Sequence, residues 1–169
     1  MKPLPTTPIP DGNLVSDSRV PTYSYDEFGR MSASSKGGAY SYDADGRLLT
    51  QIPAGESPLQ FFYAHDLLTG QKQGDTYVSF YRDGAAVHGR TVRTGSTAHS
   101  EVNGLNLSSS VIGRASQDGR TTDVMYTPYG ESSLNTQANA NDLAAFPSIA
   151  FNGQRLDALA NLYHLGKCA

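Results

Sequence analysis

Apolar and aromatic residues in this chain come in short runs of alternating character, broken by bends rich in Asp and Gly. Tyr23 and Tyr25 are two residues apart, as are Tyr40 and Tyr42, so in an extended strand each pair places both rings on one face. Asp26 precedes Gly29 by three positions, and Asp43 precedes Gly46 by the same interval. That spacing predicts a type I turn, with Asp accepting a backbone N–H at its first position and Gly closing it at positive φ. Arg30 and Arg47 follow at once and open a returning strand. An exposed contact between such an Arg and its turn Asp is worth about 0.2–1 kcal/mol.

The two units are copies of one another. Tyr23 to Met31 reads YSYDEFGRM and Tyr40 to Leu48 reads YSYDADGRL, with six of nine positions identical at an offset of 17 residues. A weaker third copy begins at Phe61, where FFYAHDLLTGQ keeps the aromatic spacing and an Asp but lacks Gly-Arg. Farther on, Thr76 to Arg82 and Ala85 to Val92 flank Asp83-Gly84, a strong hairpin signal. Leu107 to Ala115 and Arg120 to Tyr126 form a second such pair, joined through Gln117-Asp118-Gly119. The pattern predicts an all-β fold, an antiparallel meander of about ten to twelve short strands in a curved sheet. Asn135 to Ala145 reads as a surface loop, with Asp142 to Phe146 able to make one helical turn before Pro147. Pro3, Pro5, Pro8 and Pro10 mark residues 1–20 as a flexible Pro-rich arm, leaving 21–169 as the β domain.

Composition narrows the class. The chain has 169 residues, of which 38% are hydrophobic, enough for one core. Charged residues make up 17% and the net charge is −3, with no clustered basic field of the kind that grips nucleic acid. The one cysteine, Cys168, rules out an internal disulfide and a Cys/His zinc cluster, and a free thiol is expected. The first ten residues carry no Sec-type apolar run, and no run of eighteen apolar residues occurs, so the expectation is a protein made in the bacterial cytoplasm without a membrane span. No cofactor or metal is expected.

Several residue groups invite a sharper reading. The tyrosines Tyr23, Tyr25, Tyr40 and Tyr42 form a candidate sugar-stacking face, although strand packing and turn chemistry already account for every repeated position. His65-Asp66 with Ser108, Ser109 or Ser110 lacks a nucleophile elbow, and neighbours in a strand point to opposite faces. His88, His99 and His164 lack ligand spacing. Asp157 and Glu131 are acidic, yet a glycosidase needs a second convergent carboxylate. Gly29, Gly46, Gly84, Gly119 and Gly130 fit no phosphate-loop motif and are read as turns. The chain is therefore expected not to be an enzyme.

The two YSYDxxGR copies resemble the YD repeat of the RHS (rearrangement hotspot) family. Tyr126 to Glu131, YTPYGE, is similar to that family's Y-x-P-Y-G element, and Phe151 to Gly166, FNGQRLDALANLYHLG, is similar to an element near the end of its repeat shell. By pattern the chain resembles the C components of insecticidal toxin complexes and RHS toxins of type VI secretion. The resemblance implies a β-strand shell that spirals around and encloses a toxic segment, with other shell subunits or self-association through strand edges as partners. It also implies release as part of a secreted complex. The family continues into an aspartyl autoprotease around a D-P-x-G-L sequence, whereas this sequence has no Asp-Pro and ends at Lys167-Cys168-Ala169. The expectation is a non-catalytic shell fragment truncated before autoprotease and toxin, with a carbohydrate- or cell-surface-binding module as the first alternative and an enzyme as the second.

Overall fold

The computed structural model describes residues 13, 15–16, 22–36, 38–128, 130, 132–135, 149–157 and 162–164. Twelve strands follow one another: β1 (Tyr23–Tyr25), β2 (Met31–Ser34), β3 (Gly38–Tyr42), β4 (Leu48–Ile52), β5 (Leu59–Ala64), β6 (Leu67–Gln73), β7 (Thr76–Asp83), β8 (Ala86–Thr94), β9 (Thr97–Leu105), β10 (Val111–Ser116), β11 (Thr121–Tyr126) and β12 (Ser132–Asn135). They form one sheet whose spatial order is the sequence order. Every neighbouring pair is antiparallel, so the fold is the all-β meander that the alternating pattern predicts. A separate pair, β13 (Arg155–Asp157) and β14 (Leu162–His164), makes a two-stranded sheet.

Alternation sorts the side chains onto two faces. The inner face buries Tyr23, Tyr40, Leu48, Phe61, Leu68, Val78, Phe80 and Val87. Full burial of one such apolar side chain is worth about 1.5–3 kcal/mol. The outer face leaves Ile52, Phe62, Tyr77 and Tyr81 exposed. Two of these rings lie opposite glycines across the ladder, Phe62 beside Gly70 and Tyr81 beside Gly89. A ring there covers a backbone that has no side chain of its own.

Curvature has a repeated local cause. The pairing register shifts at Ser24/Tyr25, Ser41/Tyr42, Phe62/Tyr63 and Tyr81/Arg82, in strands that run into a hairpin turn, and again at Val111/Gly113, in the strand that leaves the Asn106 turn. A bulge adds local twist and bends its strand, so these shifts along one rim curl the sheet. The third copy of the repeat shares this feature, since Tyr63 sits at the bulge as Tyr25 and Tyr42 do.

Some boundaries differ from the sequence reading. Asp83 pairs with Ala86, so the hairpin loop is Gly84-Ala85 rather than Asp83-Gly84. Positive φ at Gly84 alone is the type II′ pattern, which wants Gly first, and this preference moves the loop one residue on. Leu107 is not in a strand: Asn106 to Ser110 is a turn, and β10 starts only at Val111. His65 and Asp66 are the two loop residues of the β5–β6 hairpin rather than strand neighbours. Asn135 closes β12, while the rest of the expected surface loop lies outside the described residues, as does most of the Pro-rich arm. Within the arm, the Val15 carbonyl accepts the Tyr23 N–H at 2.8 Å.

Two glycines give contrasting expectations. Gly46 has φ +81° with open space where a Cβ would sit, so Gly46→Val is expected to cost only the left-handed strain, about 1–2 kcal/mol. At Gly38, also φ +81°, a Cβ would lie 1.9 Å from the Ile52 carbonyl oxygen, a contact that forces backbone to move. Urea unfolding of both variants should show the Gly38→Ala loss clearly larger. Equal losses would mean that the β3–β4 approach is not tight.

Candidate functional site

The repeat turns form a connected rim. In the first, Asp26 Oδ1 accepts the Phe28 and Arg30 N–H groups, both at 2.9 Å, and the Asp26 carbonyl accepts the Gly29 N–H at 3.0 Å. In the second, Asp43 Oδ1 accepts the N–H groups of Asp45 at 2.9 Å and Arg47 at 2.8 Å, and the Asp43 carbonyl accepts the Gly46 N–H at 3.1 Å. Gly29 and Gly46 hold φ of +73° and +81°. This is a type I turn closed by a left-handed residue, a standard three-residue hairpin. Asn106 to Ser110 repeats the bonds with different residues. Asn106 Oδ1 accepts the Ser108 and Ser110 N–H groups, while Ser109 takes φ +59° where the other copies have Gly.

Each repeat Arg has two jobs. Arg30 Nε donates to Asp26 Oδ2 at 2.7 Å, and its Nη1 donates to the Asp43 carbonyl at 3.2 Å, in the next turn. Arg47 Nε donates to Asp43 Oδ2 at 2.6 Å, and its Nη1 donates to the His65 carbonyl at 2.7 Å, again one long hairpin ahead. The guanidinium planes also cover rings. Arg30 lies 4.9 Å from both the Phe28 and Tyr42 centroids, and Arg47 lies 6.0 Å from that of Tyr63. The second aromatic of one unit is thus the platform for the Arg of the unit before. Partial loss of water opposes ionisation of Asp26 and Asp43, but the N–H groups and the guanidinium outweigh it and hold both carboxyls below the usual carboxylate value.

Beyond Val87 the inner face takes on charge, with Arg90, Glu101 and Arg114 set beside the apolar Val92 and Val111. Register places Arg90 opposite Glu101, and Asn103 opposite Arg114. Glu101 Oε2 lies 2.7 Å from Arg90 Nε and 3.2 Å from Arg114 Nε, and the three side chains are 12%, 5% and 8% exposed. Asn103 Oδ1 accepts from Arg114 Nε, and its Nδ2 donates to the Val87 carbonyl at 2.8 Å. Burial pushes Glu101 up, yet the two guanidinium groups bring it below its ordinary value overall. Burial and the nearby Arg90 lower Arg114 to about 10. Next to this cluster is a cavity of about 450 Å³, lined by Glu56, Gln71, Gln73 and Arg90 with Leu59 and Val78 among others. Among the described residues Glu56 is the single carboxylate of its lining, and Glu56 Oε2 accepts from Gln73 Nε2 at 3.0 Å.

The structure disperses the catalytic candidates. His65 and Asp66 sit at one hairpin tip, Ser108 and Ser109 in the Asn106 turn, and Asp157 ends β13. Ser110 is buried and its hydroxyl bonds Asn152. His88 is exposed, and His99 Nε2 lies 3.2 Å from Ser116 Oγ. Among the described residues no three His, Cys, Asp or Glu groups converge as metal ligands. Glu131 and Cys168 lie outside the described residues, and nothing is described of the His164 side chain. Tyr23 and Tyr40 are 6% and 7% exposed, Tyr40 Oη is 3.3 Å from Ser34 Oγ, and Tyr42 Oη donates to the Met31 carbonyl at 2.8 Å. Tyr25 is half-buried. These rings face the packed side of the sheet, which gives a stacking sugar little to rest on.

The lowered carboxyls predict acid sensitivity with a definite sign. A group whose folded pKa is depressed stabilises the fold above its unfolded value, near 3.9 for Asp, and loses that stabilisation as pH falls through the folded value. Thermal unfolding should therefore weaken below about pH 4, and Asp26→Asn/Asp43→Asn should flatten this acid limb. An unchanged limb would remove the turns as its source. Glu101→Gln leaves two buried guanidiniums without their shared anion and is expected to cost about 3 kcal/mol at neutral pH. A neutral effect in chemical denaturation would show that the cluster is hydrated.

No family model matches this sequence, and no curated protein matches it. Solved structures do match. The Tc holotoxin pore of Photorhabdus luminescens with a TccC3 substitution aligns over 92% of this chain at 18% identity and a TM-score of 0.67. The crystal structure of TcdB2-TccC3-TEV aligns over 92% at 18% identity with a TM-score of 0.69, and that of TcdB2-TccC3 over 92% at 16% with 0.58. This chain spans 8% to 9% of the length of those chains. The likeness read from the YD repeats is thus a likeness of fold: the meander described here is similar to a portion of toxin-complex chains.

Proposed function

We propose that this chain is a structural wall segment of a toxin-complex-type β-shell, of the kind formed by C components, and that it works without catalysis. The observation that carries this reading is the alignment of 92% of the chain with one stretch of toxin-complex structure. The internal design supports it. Each Arg staples its turn to the next, a device that extends by adding hairpins and needs no ligand. The catalytic candidates are dispersed, and the cavity offers one carboxylate already engaged by Gln73, which favours wall over chemistry. Partners on this reading are other shell segments that pair with the end of the sheet at β12, since the Tyr23 N–H at the β1 end is already taken by the Val15 carbonyl. Residence in a secreted toxin assembly follows from the same reading.

Static light scattering over a concentration series tests it, alongside a screen against ester, peptide and glycoside substrates. Association that grows with concentration and is reduced by Pro substitution in β12 is the expected result. A monomer that stays compact at high concentration, or hydrolysis lost on His65→Ala or Asp157→Ala, would overturn the reading.

A further inference from the structure

Residues Ile149 to Arg155 form a small hairpin that is no part of the twelve-strand sheet. Ile149 bridges Arg155, the Ala150 N–H donates to the Gln154 carbonyl at 3.0 Å, and the Gln154 N–H donates to the Phe151 carbonyl at 2.9 Å. Its two central residues, Asn152 at φ 52°, ψ 30° and Gly153 at φ +68°, both have positive φ, the type I′ pattern that Asn-Gly favours. The turn is therefore preorganised by its own sequence and its own hydrogen bonds.

The sheet holds a fitted socket for it. The Ser110 hydroxyl, 1% exposed as a residue, accepts the Asn152 N–H at 2.9 Å and donates to Asn152 Oδ1 at 3.4 Å, reading backbone and side chain together. The Val111 N–H donates to the Ala150 carbonyl at 3.1 Å. Phe151 packs on Tyr126 with centroids 5.4 Å apart, and Arg155 lies over Phe61 at 4.6 Å. At Gly153 a Cβ would stand 3.0 Å from the Ala85 carbonyl oxygen, so the socket admits glycine and crowds anything larger. Ile149 completes the apolar cluster around Tyr40 and Phe61.

We infer that this socket is a recognition site for the Asn-Gly hairpin of residues 149–155, and that it accepts the hairpin of a second copy of this chain as well as its own. Recognition runs through a preformed turn rather than through sheet continuity, so the donor chain's identity is immaterial to the contacts. Thirteen residues, 136–148, connect β12 to the hairpin, a span of at most about 45 Å when extended. The twelve strands pair without it. Exchange of an identical element between copies is a low-cost route to association.

The test uses the full chain carrying Asn152→Ala and Gly153→Val, which disables its hairpin and keeps its socket, with a labelled peptide of residues 148–157 as probe. Saturable binding to this variant, at least tenfold tighter than to the unaltered chain whose own hairpin competes, is expected. Peptide carrying Gly153→Val should not bind. Native mass spectrometry of the variant mixed with full chain carrying Ser110→Ala, which keeps the hairpin and damages the socket, should show a heterodimer. If the first variant fails to fold by circular dichroism, the peptide is titrated into the unaltered chain, and amide shifts at Ser110 and Val111 are the expected readout. Absence of binding to a folded variant, absence of those shifts, or binding indifferent to Gly153→Val would overturn the inference.

Discussion

The fold depends on a carboxylate placed at the first corner of a hairpin. Asp43 closes its own turn with one oxygen and holds the Arg47 guanidinium with the other. Held in that direction, Arg47 reaches the carbonyl of the following hairpin and covers its aromatic. A surface ion pair in isolation contributes little. Here the pair orients a third partner, so its value lies in fixing the position of one hairpin relative to the next. Local turn chemistry thereby becomes long-range register.

The inner face shows what that register brings together. From β3 to the start of β8 it is a mainly apolar layer that also buries Gln51, and across β8 to β10 it holds a buried ion cluster sharing one glutamate, beside the apolar Val92 and Val111. An ion cluster of this type contributes less stability than apolar packing of equal volume, but it penalises misregister severely, because a slip by one residue would expose Glu101 and leave two guanidiniums buried. The apolar half drives collapse, and the charged half makes the pairing unique.

Much of this was legible in the sequence wherever the cause was local. The Tyr spacing, the Asp and Gly of each turn and the following Arg act within a few residues of one another, and two copies made them visible. The forward reach of Arg30 and Arg47 was hidden, because their acceptors lie 13 and 18 residues away and are backbone carbonyls, which carry no sequence mark. The Asn106 turn escaped because Asn and Ser109 stand in for Asp and Gly while making the same bonds. The Glu101 cluster appears only once strand register is known. Asn152-Gly153 did carry a readable signal, the strongest hairpin dipeptide, within a stretch otherwise read for its likeness to a longer element.

The most direct measurement is native-state hydrogen exchange on the chain carrying Arg47→Ala. If the guanidinium joins successive hairpins, protection should fall in β5 and β6, around Phe62, Tyr63 and Leu68, as well as in its own β3–β4 turn. Loss confined to Asp43 to Leu48, with the β5–β6 amides as protected as before, would contradict the account and reduce the repeat Arg to a decoration of its own turn.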